Sequence, residues 1–173
     1  KGLFFYPIML SIEGNIVHID GVRRERVEID SETGLIIKVG PETGVADLIL
    51  KEELVFPGFV DLHVHAREDT SHTQDYKEDF KTAGEAAVNG GVVAFLEMPN
   101  NPVPPVDDAS YQAKSELTHT SKIEIVLYAG IGPNTFPFSK NVVFLVENDV
   151  FHDHPFCQEL FKERNLLSVT PVN

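Results

Sequence analysis

The sequence predicts an α/β protein whose parallel sheet is preceded by a separate β-rich segment. Over residues 10–50, apolar and polar side chains alternate one by one, which is typical of half-buried strands. After Pro57-Gly58, continuous apolar runs alternate with stretches of helical periodicity, and this pattern predicts βαβ units. We therefore assign residues 1–55 to a β segment and residues 56–173 to an α/β domain.

The β segment contains two turn signals, Asp20-Gly21 and SETG at 31–34, which divide it into strands. His18 lies between two apolar positions, and we interpret it as a half-exposed strand residue and not as a ligand. The alternation predicts six buried side chains: Val17, Ile19, Val27, Ile29, Ile36 and Val39.

Five apolar runs predict the strands of the α/β domain, at residues 59–64, 92–97, 123–129, 142–147 and 166–169. The second run, VVAFLE, is almost uninterrupted, and such a run is typical of a strand buried on both faces. Only 12 residues, with two prolines and two glycines, separate Ala129 from Val142. Because a parallel crossover usually contains a helix, we expect either that these strands are not adjacent and parallel, or that chain is missing between them.

The first predicted helix has apolar residues at helical spacing and ends at Gly90-Gly91. We place its N-cap at Asp75, with Glu78 completing a capping box. Two further helices are predicted. One covers residues 109–120 and is capped by Asp107 or Asp108, and the other begins at Pro155.

The composition argues against several kinds of partner and location. With 14 basic and 27 acidic residues the formal net charge is −13, which argues against nucleic acid and anionic membranes. The single cysteine, Cys157, allows no internal disulfide, and we expect a cytoplasmic protein. The apolar start is interrupted at Pro7, and there is no run of about 18 apolar residues, so we expect neither secretion nor a membrane span.

His63 and His65 stand two residues apart at the end of the first strand of the α/β domain. Alternate residues of a strand point to the same side, and the carboxyl ends of such strands carry the chemistry in α/β folds. Two imidazoles on one face suit a divalent transition metal such as zinc, and Asp61 shares that face. Since the same spacing also occurs in ordinary strands, the pair alone leaves a purely structural role open.

Arg67 and Asn100 add the signal for an anionic group. If the strand continues, Arg67 is the next residue on the histidine face, and its guanidinium matches a carboxylate in a two-bond arrangement. Asn100 follows the second strand, where its amide can donate to the same ligand, although Pro99-Asn100 by itself is only a turn signal. Together these residues predict a metal beside an anionic substrate.

Two stretches resemble a known family: FPGFVDLHVHARED at 56–69 and YKEDFKTAGEAAVNGGVVAFLEMPNNPVPP at 76–105. They are similar to the amidohydrolase superfamily and, within it, to the dihydroorotases. That family carries a P-G-x-x-D-x-H-x-H-x-R segment, an A-A-x-x-G-G helix end and an M-P-N-T-x-P loop. The match departs from this pattern at Ala66, Asp69 and Asn101, where leucine, proline and threonine are usual.

The resemblance implies a (β/α)8 TIM barrel of the amidohydrolase type with a small β-sandwich built partly from the N-terminal segment. Only about four βα units fit into residues 57–173, so the barrel is partly represented. The resemblance further implies one or two zinc ions bound by His63 and His65, with Arg67 and Asn100 holding the substrate carboxylate. The implied reaction interconverts dihydroorotate and N-carbamoyl-aspartate in pyrimidine biosynthesis, and its catalytic acid–base residue cannot be placed.

The remaining metal ligands cannot be placed either, because we interpret His152 and His154, in VENDVFHDHPF, as part of a surface loop. Three hypotheses stay open: a dihydroorotase, a catalytically inactive homologue that serves as a structural or regulatory partner, and another cyclic amidase such as an allantoinase or dihydropyrimidinase. Arg67 with Asn100 favours a carboxylate-bearing substrate and argues against a dihydropyrimidinase. The expected partner is a small-molecule substrate, and whether the protein forms a homo-oligomer stays open.

Overall fold

A computed structural model describes residues 9–41, 43–131, 138–139 and 143–145. Its contacts divide the chain into two units, Lys1–Pro57 and Gly58–Asn173. The first contains β1 (Met9–His18), β2 (Gly21–Asp30), β3 (Ile36–Gly40) and β4 (Leu48–Val55). The second contains β5 (Phe59–Val64), α1 (Phe80–Asn89), β6 (Val92–Glu97), α2 (Asp108–Leu117), a 3-10 helix (Thr118–Thr120), β7 (Glu124–Gly130) and β8 (Val143–Leu145). None of the helices described is long and apolar enough to cross a membrane.

The four strands of the first unit form one sheet in the order β3-β2-β1-β4. β2 is antiparallel to both β1 and β3, and β4 is parallel to β1. Tight turns at 19–20 and 31–33 join the antiparallel strands, which confirms both turn signals. The described residues of this unit thus form one sheet, and a second layer of the expected sandwich is not among them.

The predicted buried set of this sheet is only partly correct. Of its members, Val27 is buried, whereas Val17 and Ile29 are half-buried. The prediction is wrong for Ile19, which lies in the turn, and for Ile36 and Val39, which lie on the edge strand β3 and are exposed. His18 is half-buried with its Nε2 2.7 Å from Glu25 Oε2, which confirms its interpretation as a strand residue.

This sheet buries an ion pair between Glu13 and Arg26. Arg26 Nη2 donates to Glu13 Oε2 at 3.1 Å, and Arg24 Nη2 donates to Oε1 of the same carboxylate at 2.8 Å. The hydrogen bonds from Arg24 and then Arg26 hold the pKa of Glu13 below its ordinary value.

The second unit has a four-stranded sheet in the order β5-β6-β7-β8, in which every pairing is parallel. This confirms the parallel α/β arrangement, and a closed barrel is not present among the described residues. The core lies between sheet and helices and consists of Ala66, Phe80, Ala83, Phe95 and Leu127. The expectation that β6 is buried on both faces is wrong at Val93, which is exposed.

α1 begins one turn later than predicted. Its N-cap is Asp79, whose carboxylate accepts from Thr82 N at 2.7 Å, and the two residues form a reciprocal capping box. The predicted box of Asp75 with Glu78 is therefore wrong. α1 ends at the predicted glycines, and Asp107 caps α2, as one of the two candidates predicted.

β7 and β8 are adjacent and parallel, with Tyr128 paired to Val143. Of the two alternatives, the one in which these strands are not adjacent and parallel is therefore excluded, and missing chain between them stays a prediction. Most of the connection, the predicted helix after Pro155 and the predicted strand at 166–169 lie outside the described residues, as does the segment with His152 and His154.

Candidate metal and carboxylate site

The two predicted metal ligands lie side by side at the carboxyl end of β5. His63 is in the strand and His65 follows its last residue, Val64. The ring centroids are 5.1 Å apart at an interplanar angle of 70°. Strand alternation therefore brings the two imidazoles together, as the spacing predicts. Within the described part of the chain, no carboxylate or further imidazole joins them in a group of three ligands.

Asn100 lies against this pair, because parallel β5 and β6 end at the same edge of the sheet. Its Oδ1 is 2.9 Å from Nδ1 of His65. With the amide oxygen as acceptor, Nδ1 carries the proton and Nε2 keeps its lone pair, which is the form in which a histidine binds a metal. The donor set of His63 and His65 therefore fits a divalent transition metal, and the Asn100 amide nitrogen stays available as a donor.

Arg67 does not continue the strand, because β5 ends at Val64. Its φ of 66° lies in the left-handed region, which is uncommon for a residue other than glycine. The prediction that strand alternation directs its side chain is therefore wrong, since a turn now sets its direction. In the described residues, no hydrogen bond or ion pair holds its guanidinium, and the neighbouring carboxylates of Glu68 and Asp69 accept from backbone N–H groups instead.

The turn between His65 and Arg67 is anchored by Glu97, the last residue of β6. The backbone N–H of Ala66 donates to Glu97 Oε2 at 2.7 Å. Both residues are at most 1 % exposed, so water does not compete for this bond. Glu97 is not among the site residues predicted from the sequence, although a carboxylate that ends an otherwise apolar run is a detectable signal.

Lys114 of α2 completes the anchor and was also missed. Its Nζ lies 3.5 Å from Glu97 Oε1 and donates to Oδ1 of Asn101, the neighbour of Asn100. Burial raises the pKa of Glu97 and lowers that of Lys114, while their mutual attraction opposes both shifts. One buried cation thus connects the β6 carboxylate to the loop that carries Asn100.

A second cluster lies in the connection between β5 and α1, where Glu68, His72 and Asp75 place ligand atoms within 4.8 Å of one another. His72 Nδ1 is 2.7 Å from Asp75 Oδ2, and this contact raises the pKa of His72. Burial raises the pKa of Glu68. The donor types suit a cation, but the His72–Asp75 ion pair accounts for two of the three members without one. Its E-x3-H-x2-D spacing is the sequence signal.

The comparisons with known proteins cover this region. The amidohydrolase family profile matches residues 54–128, which include His63, His65, Arg67 and Asn100. The dihydroorotase of Methanopyrus kandleri is 37 % identical over 125 residues, which is 69 % of this chain and 28 % of that protein. The allantoinase of Bacillus licheniformis is 33 % identical over 126 residues, which is 70 % of this chain and 28 % of that protein.

Two solved structures have a similar fold. The L-hydantoinase (dihydropyrimidinase) from Arthrobacter aurescens superimposes with a TM-score of 0.61 at 22 % identity, over 72 % of this chain and 28 % of that one. A D-hydantoinase superimposes with a TM-score of 0.59 at 20 % identity, over 88 % of this chain and 31 % of that one. At this level of identity the likeness shows the fold alone.

The resemblance drawn from the motifs is confirmed, since residues 54–128 match the amidohydrolase family profile. Dihydroorotases at 32–37 % identity are among its relatives, together with the allantoinase. The chain spans about 28 % of the length of the first relatives given above.

Proposed function

We propose that this chain supplies metal ligands and substrate-binding residues to a metal-dependent hydrolase of cyclic amides, of the dihydroorotase type. The observation that carries the proposal is the 2.9 Å contact between His65 and Asn100. It joins one predicted metal ligand to one predicted substrate-binding residue, although 35 residues separate them in sequence.

In this proposal the site holds one or two zinc ions, and His63 and His65 bind one of them. Bound zinc would supply Lewis-acid activation of water and polarisation of the ring amide carbonyl. Asn100 fixes the tautomer of His65 and directs its own N–H groups toward the substrate. Arg67, whose guanidinium has no ion-pair partner among the described residues, receives the substrate carboxylate.

The carboxylate distinguishes the candidate substrates. Dihydroorotate carries one on its ring, so Arg67 gains a charge-assisted partner. Neither dihydrouracil nor allantoin carries one, so the carboxylate argument disfavours a dihydropyrimidinase and gives no support to an allantoinase. Allantoinase stays a second candidate because the Bacillus licheniformis enzyme is 33 % identical to this chain. The inactive homologue stays a third, since only two adjacent ligands lie within the described residues.

Zinc content of the purified protein tests the metal ligands. We expect bound zinc to be lost in the double variant His63→Ala/His65→Ala, because both imidazole donors disappear. The variant His18→Ala/His119→Ala removes the same number of histidines elsewhere and serves as the control. Equal zinc in the parent and in the first variant would contradict the proposal.

Initial rates of the complete enzyme with dihydroorotate, allantoin and dihydrouracil test the substrate. Arg67→Lys keeps the charge and loses the planar fork, so we expect kcat/KM for dihydroorotate to fall about 10-fold or more at unchanged zinc content. Turnover of allantoin alone would favour the allantoinase. Zinc-loaded protein that turns over none of the three would favour the inactive homologue.

A further inference from the structure

Ala66 separates His65 from Arg67, so the orientation of its peptide affects both neighbouring side chains. Its N–H is bound by Glu97 Oε2 at 2.7 Å across 31 residues of sequence. Ala66 is fully buried, and a buried N–H without an acceptor is costly. The Glu97 carboxylate therefore stabilises the conformation that this turn adopts.

A carboxylate that is 1 % exposed keeps its charge only beside a cation. Lys114, 2 % exposed, lies 3.5 Å from Glu97 Oε1 and also donates to Asn101. The adjacent residue, Asn100, contacts His65. The pair thus holds both loops of the candidate site from their buried side.

We propose that Glu97 is a positioning residue, which orients His65 and Arg67 through the Ala66 N–H, while Lys114 balances its buried charge. This inference rests on the proposed function and adds to it. A pair that only filled the core would be replaceable by apolar residues of similar volume, as many buried ion pairs are. A positioning pair additionally requires an acceptor for the Ala66 N–H.

Two matched double variants separate these roles. Glu97→Gln/Lys114→Met removes both charges and keeps an acceptor of the same length for the Ala66 N–H. Glu97→Met/Lys114→Met removes the charges and also the acceptor, at similar volume. If the latter does not fold, Glu97→Asn/Lys114→Met takes its place, because its amide is one methylene too short to reach Ala66.

Nitrogen–proton correlation spectra of the His65 ring and hydrogen exchange of the Ala66 amide are recorded without metal. We expect the Gln variant to keep the parent's Nδ1–H form of His65. In the Met variant we expect a mixture of tautomers and exchange of the Ala66 amide about 10-fold faster or more. Identical His65 spectra in the two variants would overturn the inference.

Zinc affinity gives the second readout. Loss of a group that orients a ligand typically weakens metal binding about 10- to 100-fold, and we expect this difference between the Met and Gln variants. Equal affinities would also overturn the inference. If the parent binds no zinc through His63 and His65, the proposed function fails, and the His65 spectra still decide the positioning role.

Discussion

Both units of the protein bury an acid–base pair, Glu13 with Arg26 and Glu97 with Lys114, and the two pairs differ in electrostatic character. Guanidinium groups reach both oxygens of Glu13, and its pKa lies below the ordinary value. Glu97 receives one backbone N–H and a lysine at 3.5 Å, and burial raises its pKa. The difference follows from the number of donors and the degree of burial.

A buried pair is therefore not by itself a stabilising feature. Where hydrogen bonds satisfy the carboxylate, as at Glu13, the ionised form is favoured. Where desolvation prevails, as at Glu97, the pair is an expensive arrangement that apolar residues often replace without loss. Its position next to the candidate site is consistent with the positioning role.

The largest effect is expected for Lys114→Met. It leaves the Glu97 carboxylate buried without its cation, and such a change typically destabilises by about 3–5 kcal/mol. Urea unfolding, followed through the amide signals of Ala83 in the second unit and Val27 in the first, measures the loss in each unit. A loss confined to the Val27 signal would contradict the prediction.

The same variant should recover in acid. The pKa of Glu97 is higher in the folded state than in the unfolded state. Between these two pKa values the native state holds a proton that the unfolded state has lost, so stability falls as pH rises through this range. The stability lost in Lys114→Met is therefore largest above the folded-state pKa of Glu97. It becomes smaller as the pH falls toward the ordinary pKa of a glutamate carboxyl. A deficit that is independent of pH would mean that Glu97 is not its cause.

At Glu13 the opposite pH dependence is expected. Its lowered pKa means that its contribution is present above the ordinary carboxyl pKa and is lost as pH falls through the folded value. Arg24→Met removes the hydrogen bond that is the largest cause, so the Glu13 pKa should rise toward its ordinary value. Carbon-detected titration of the carboxyl group measures this, and Arg23→Met, which removes an exposed arginine paired with Asp20, is the control. An unchanged titration midpoint in Arg24→Met would contradict the assignment.

The parts of the fold that were predicted depend on local pattern. The β5 and β6 bounds follow from apolar runs, and the adjacency of His63 and His65 follows from strand alternation. The contacts of Glu97 and Lys114 were not predicted, because residues far apart in sequence make them. Local pattern did not indicate the left-handed backbone at Arg67, just after the predicted end of the strand, since no glycine, proline or asparagine lies in that turn.

The start of α1 illustrates the same limit. Two acidic caps, Asp75 and Asp79, precede the apolar face, and the sequence does not distinguish them. In the structure the Glu68 carboxylate accepts from Phe80 N at 2.7 Å, which satisfies a helix-terminal N–H at the later start. A contact across 12 residues thus selects Asp79 as the N-cap.

The smallest effect is expected for Lys122→Met, which applies the substitution used at Lys114 to an exposed pair. Lys122 Nζ lies 3.3 Å from Glu85 Oε1, and the side chains are 64 % and 42 % exposed. Water solvates both charges in the parent and the remaining Glu85 charge in the variant, so we expect a loss of about 0–1 kcal/mol that vanishes at high salt. Urea unfolding at low and high salt, followed at Ala83 as for Lys114→Met, places the two lysines on one scale. Equal losses for the two variants would show that burial is not what sets the Glu97 pair apart, and would remove the physical basis of its assigned role.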